Sequence, residues 1–167
     1  MLLTTVQAWI GIGANLGEDP IGTVSDAIAA LGKQPHCRLQ AQSGLYRTAP
    51  MGVAEGSDTQ PDYINAVVRI ETALGPTLLL ETLLAIEKSF GRTRSVQNAA
   101  RTLDLDLLIY ADRIVDQHGL QVPHPRMHER AFVLVPLADI DPDLAIPGKG
   151  IVKTLLPGVA TQVITPV

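Results

Sequence analysis

One cysteine, Cys37, stands among 167 residues, so no internal disulfide can form. No Cys/His spacing of the zinc-binding kind accompanies it. A cationic excess is also missing: 13 Lys and Arg face 17 Asp and Glu, which argues against a nucleic acid or a membrane surface as partner. Any anionic substrate must then be held by a local cluster of arginines. Long apolar runs are absent too. The start, MLLTTVQAWIGIG, has no cationic n-region and its apolar stretch breaks at glycines, so neither a signal peptide nor a spanning helix is expected. At this length a single cytoplasmic domain over 1–167 is expected, with 148–167 its least informative part. Aromatics are scarce, at one Trp, three Tyr and two Phe, so Tyr63 and Phe132 either fill the core or stack on a planar ligand. No Ser/His/Asp or Cys/His set for nucleophilic catalysis is evident.

What is present alternates between two periods. Gln7 to Ile12 is short and apolar and ends in Gly-Ile-Gly, as a central strand turning into a loop would. Asp19-Pro20 then starts a helix whose stripe is Val24, Ile28 and Leu31, ending at Gly32. Cys37 to Tyr46 reads as one half-exposed strand, and 47–62 as a long loop carrying Pro50, Gly52, Gly56 and Pro61. Tyr63 to Glu71 returns to period two, with Ile64, Ala66, Val68 and Ile70 on one face. Behind Gly75-Pro76 a helix carries Leu79, Leu83, Ile86 and Phe90 as one stripe, with Glu87 beside it, and Gly91 ends it. A polar, arginine-bearing loop leads into RTLDLDLLIY, a strand expected to fold back on Arg113–Val115 across Ala111-Asp112. Met127 to Ile140 is expected to form helical turns interrupted at Pro136. The order βαββαββ, with neighbours close enough for hairpins, predicts an α+β fold with a ferredoxin-like core and a mainly antiparallel sheet packed by helices.

Inside RTLDLDLLIY, Asp104 and Asp106 share one strand face while Leu103, Leu105 and Leu107 share the other. Two carboxylates that close repel one another unless a cation compensates. The pair therefore either binds a hard divalent ion such as Mg²⁺ together with phosphates, or is the polar edge of a half-buried strand. Arg92, Arg94 and Arg101 bracket the loop before the aspartates, and Arg126 and Arg130 follow His124. Guanidinium forks suit phosphate oxygens, and a solvated loop is the plainer alternative. His124, between two prolines, could donate to a phosphate or simply be exposed. Gly11 and Gly13 fit a phosphate cradle or the tight packing of a strand end.

Six blocks in order, IGIGANLG, YRTAPMG, QPDYINAVV, AIEKSFGRTR, RTLDLDLLIY and VPHPRMHERAFVLVPLADIDP, are similar to those of the 6-hydroxymethyl-7,8-dihydropterin pyrophosphokinases of the folate pathway. The resemblance implies a three-layer α+β sandwich and transfer of pyrophosphate from ATP to the hydroxymethyl oxygen of the pterin, releasing AMP. It implies that Asp104 and Asp106 hold Mg²⁺, two ions in the family, and that Tyr63 and Phe132 sandwich the pterin. Asn65 would bond the edge of the ring, and Thr48 and the loop through Met51 would contact it. Glu87, Arg92, Arg101, His124 and Arg130 would contact ATP, and Arg94 would assist closure of a loop. It further implies a monomer whose partners are small molecules. The chain departs from many members at Leu84, Asn98, Gly119 and Pro125, near the nucleotide and a closing loop. Those departures leave a nucleotide-binding module without chemistry as one alternative reading, and Asp-x-Asp alone leaves a Mg²⁺-dependent phosphohydrolase as another.

Overall fold

The structure is a computed structural model that describes residues 4–15, 17–50, 61–91 and 103–167. Its elements are β1 (Val6–Ala14), α1 (Pro20–Gly32), β2 (Cys37–Gln42), β3 (Tyr46–Thr48), β4 (Tyr63–Thr72), α2 (Pro76–Ser89) and β5 (Asp104–Tyr110). There follow β6 (Val115–Gln117), β7 (Leu120–Val122), α3 (Ala131–Ile140), β8 (Ala145–Ile146), β9 (Gly150–Ile151), α4 (Val152–Leu155) and β10 (Thr165–Pro166). The expected start of α1 holds: Asp19 Oδ1 accepts from the Gly22 amide at 2.9 Å, with Pro20 in the first turn. Beyond α2 the chain turns at Gly91, whose φ of +84° suits a residue without Cβ.

The main sheet runs β10-β3-β4-β1-β5, with β2 also on β4, and every pair is antiparallel. Taking β2 and β3 together, this is the ferredoxin-like order predicted. Alternation along the strands divides the interior in two. Even residues of β1 and β4, from Ala8 to Ala14 and Ile64 to Ile70, join Leu103, Leu105 and Leu107 under α1 and α2. Trp9, Val67, Leu108 and Ile109 form a second core with α3 and α4 on the other face. No helix among the described residues is long and apolar enough to cross a membrane.

Three local expectations need correction. Val115 pairs with Val122 in a separate β6–β7 hairpin and not with β5. That turn contains Gly119 at φ +79°, the left-handed position a tight hairpin needs. The strand expected over 37–46 is interrupted, because three residues, 43–45, oppose two on β4. Ser43 bridges the gap: its amide donates to Val67 O and its Oγ accepts from Val67 N, both at 2.9 Å. Finally, α3 continues through Pro136, because burial of Val133, Leu134 and Leu137 against the sheet outweighs one lost helical bond.

A polar clamp ties the second layer to the sheet. Arg69 Nη1 donates to both oxygens of Asp141, at 2.7 and 2.8 Å, and Trp9 Nε1 donates to Asp141 Oδ2 at 2.7 Å. The Arg69 and Asp141 side chains are about one-fifth exposed, so the pair is screened only in part. Asp141→Ala leaves a shielded guanidinium and an indole N–H without this partner. It should cost about 2 kcal/mol, and Trp9→Phe about 1 kcal/mol. Thermal unfolding of both variants checks the ranking.

Candidate active site

The second face of β1 holds Trp9, Gly11 and Gly13 in succession. The Trp9 side chain fills the space under α3. The two glycines, with no side chains, leave a cavity of about 470 Å³ above the sheet. They thus form the floor of that cavity. Gly11 pairs with Asp106, and Gly13 pairs with Asp104 on one side and Asn65 on the other. Each aspartate therefore faces a glycine across the ladder and keeps open space beside its carboxylate.

The walls come from four elements. Thr48 of β3, Tyr63 and Asn65 of β4, and Asp104 and Asp106 of β5 face Arg126, Arg130 and Phe132 at the approach to α3. Residues directly opposite share a face, and the break at Ser43 sets the register that puts Thr48 opposite Tyr63. Asn65 is 5% exposed and donates through Nδ2 to Thr48 Oγ1 at 2.8 Å, which fixes the orientation of its amide. The Arg130 guanidinium carbon lies 5.4 Å from the centre of the Phe132 ring, within cation–π range. Tyr63 and Phe132 are both only half-buried.

An open groove of about 670 Å³ adjoins this cavity and shares Asp106 with it. Leu80, Gln117, Gly119, His124 and Pro125 are among its lining residues. The amide of His124 donates to Leu108 O at 2.8 Å, and its Nδ1 accepts from the Arg126 amide at 3.2 Å. Neutral His124 then carries its proton on Nε2. Burial, and after it the nearby Arg130 charge, hold its pKa below the usual 6.5, with Arg126 adding to the shift and Asp104 opposing it. The unfolded chain thus takes up a proton more readily than the folded one, so this residue's contribution to stability is lost as pH falls below 6.5. Melting temperatures between pH 7.5 and about 5 should fall less steeply for His124→Gln than for the parent.

Glu87 lies elsewhere. It is 2% exposed, and its Oε1 accepts from the Leu105 amide at 2.9 Å, behind the strand that carries both aspartates. Arg92, Arg94, Arg101 and Met51 lie outside the described residues. Among the described residues no group of three His, Cys, Asp or Glu side chains stands ready to hold a metal. Two half-buried carboxylates beside open space form a hard, incomplete donor set. That set fits Mg²⁺, which takes the rest of its shell from water and substrate phosphates. In the sequence Arg126 is only a cation close to His124. Its place on the cavity wall follows from the turn through residues 124–127, where the Met127 amide donates to His124 O.

The profile of the 7,8-dihydro-6-hydroxymethylpterin-pyrophosphokinase (HPPK) family matches residues 9–142. The chain belongs to this family. The 2-amino-4-hydroxy-6-hydroxymethyldihydropteridine pyrophosphokinase of Haemophilus influenzae is 39% identical over 151 residues, covering 90% of this chain and 91% of that protein. The protein of the same name from Synechocystis is 44% identical over 149 residues, covering 89% and 72%. Among solved structures, a Plasmodium falciparum HPPK-DHPS variant with pteroate superposes with a TM-score of 0.72 at 13% identity. The match covers 93% of this chain and 41% of that longer one, and it speaks for the fold alone. Within the HPPK frame, the structure brings Thr48, Tyr63, Asn65, Asp104, Asp106, Arg130 and Phe132 to one cavity and sets His124 in the adjoining groove.

Proposed function

We propose that this HPPK transfers the pyrophosphoryl group of ATP to 6-hydroxymethyl-7,8-dihydropterin, giving AMP and the pterin pyrophosphate for folate synthesis. The observation that carries this reading is the place of Asp106, on the boundary between an aromatic-walled cavity and an open groove. A planar pterin suits the cavity, between Tyr63 and Phe132, with Asn65 at its edge and Thr48 beside it; the loop through Met51 completes the contact. ATP suits the groove, with its phosphates directed at the aspartates. The pterin hydroxymethyl oxygen attacks the β-phosphorus, the bridging bond to the α-phosphate breaks with its electrons leaving on AMP, and the hydroxyl proton passes to water.

Such a transfer asks the protein for alignment and charge neutralisation rather than a nucleophile. Asp104 and Asp106 would hold Mg²⁺, as two ions, and the metal when bound would neutralise phosphate charge. Arg126 and Arg130 bring two cations to the cavity wall, and His124 offers its Nε2–H to a phosphate oxygen. Arg92 and Arg101 act on the phosphates and Arg94 assists closure; Glu87, expected to contact ATP, is buried behind β5 and is given a supporting role there instead. We read the chain as one pyrophosphokinase domain, a cytoplasmic monomer that acts on small molecules and on neither nucleic acid nor membrane.

The test is the identity of the nucleotide product. With Mg²⁺, ATP and 6-hydroxymethyl-7,8-dihydropterin the protein should release AMP in step with pterin pyrophosphate. ADP, or phosphate released without pterin, would show a different chemistry.

A further inference from the structure

The segment after α4 makes two attachments to the walls of the cavity. At one wall, α3 starts without a side-chain cap of its own at Arg130. Gln162 supplies what is missing: its Oε1 accepts from the Ala131 amide at 2.8 Å, and its Nε2 donates to Glu129 O at 2.7 Å. Those two groups flank Arg130, and Phe132 is the next residue into the helix. Gln162 is itself anchored, since its amide donates to Val159 O at 3.0 Å and Val159 is 4% exposed in the second core. At the opposite wall, β10 zips onto β3, with Thr165 opposite Arg47 and the Val167 amide donating to Leu45 O at 3.0 Å. Thr48 follows directly on that strand.

We propose that Gln162 is a positioning residue for the reaction, holding the first turn of α3 so that Phe132 closes on the pterin ring. This rests on the reading of the cavity as the pterin site. A first-turn amide with no partner is free to swing or to recruit water, and a shift of about 1 Å in an aromatic wall is enough to lose most of a stacking contact. The metal pair stands on β5 and His124 on the loop before α3, away from this cap; Arg130, which the cap flanks, is the one ATP-facing group it touches, so the ATP response should be the smaller of the two. The two substrates should therefore respond differently.

Steady-state kinetics of the full chain, well below its melting temperature, separate the cases. Gln162→Met keeps length and volume but removes both polar groups. It should raise KM for the pterin roughly tenfold and KM for ATP less than threefold. Gln162→Glu keeps an acceptor for the Ala131 amide, and negative charge is favourable at a helix start, but it loses the donor to Glu129 O, so its pterin KM should rise clearly less than that of Gln162→Met. Should Gln162→Met not fold, Gln162→Ala carries the same expectation. A pterin KM that does not move, or one that moves equally in the Glu and Met variants, overturns the assignment, whatever happens to melting temperature. The parent protein is the control for the reaction itself: no AMP from the parent counts against the proposed function, whereas an active parent with unaltered variants counts against Gln162 alone.

Discussion

Asp104→Asn and Asp106→Asn should each lower turnover by roughly a thousandfold while leaving the protein folded. Both carboxylates face the cavity, and the leucines that hold β5 in place, Leu103, Leu105 and Leu107, are buried on the other side of the strand. The substitutions keep side-chain volume, remove the charge and replace one acceptor oxygen by an amide donor. The buried side of β5 is untouched, so the variants should fold and unfold cooperatively as the parent does. Activity is another matter, because among the described residues lining the cavity Asp104 and Asp106 are the two carboxylates that can gather positive charge around a polyphosphate. Losing either leaves the phosphate oxygens facing the other unneutralised. The expected pattern is therefore low kcat, near-parental stability, and no rescue by added Mg²⁺ at millimolar levels. Chelation of the parent should reproduce the loss and Mg²⁺ should reverse it. A variant retaining a tenth of parental turnover would show that the pair is a strand edge and not the metal site.

How far this could be read in advance differs along the chain. The period-two runs of β1, β4 and β5 were legible because one face of each is continuous apolar core, which forces a strict alternation. The same parity placed Tyr63, Asn65, Asp104 and Asp106 together. The β6–β7 hairpin is not legible in the sequence because sequence distance favours the turn at Ala111-Asp112, while backbone geometry favours Gly119. The helix through Pro136 is not legible because helix propensity is a weak term beside burial of a whole helical face. The tail escaped because its part in the fold is borrowed: β10 is two residues long, and Gln162 acts through a helix that begins 31 residues earlier. Neither leaves a local period. The glycines of β1 were visible as glycines, but only the cross-strand register shows what they face.

That register makes Gly13 the more demanding test of the cavity. Neither Gly11 nor Gly13 has a positive φ, so substitution meets no backbone strain and the question is one of space. A Cβ at Gly13 would come 3.3 Å from Asn65 Oδ1 and 3.7 Å from the Tyr63 ring, against the two groups proposed to hold the pterin. A Cβ at Gly11 would instead meet the Leu108 methyl groups at 3.4 Å, and these can give. Gly13→Ala should therefore raise pterin KM about tenfold, and Gly13→Val, whose branches reach into the cavity, about a hundredfold. Valine suits a strand, so the fold should survive. Gly11→Ala should stay within about threefold of the parent, since its new methyl group packs against a flexible leucine. Pterin titrations with ATP saturating would decide the matter. If Gly11→Ala proved the more damaging, the planar ligand would have to lie over Asp106 rather than over Asn65, and the two substrate positions proposed here would be exchanged.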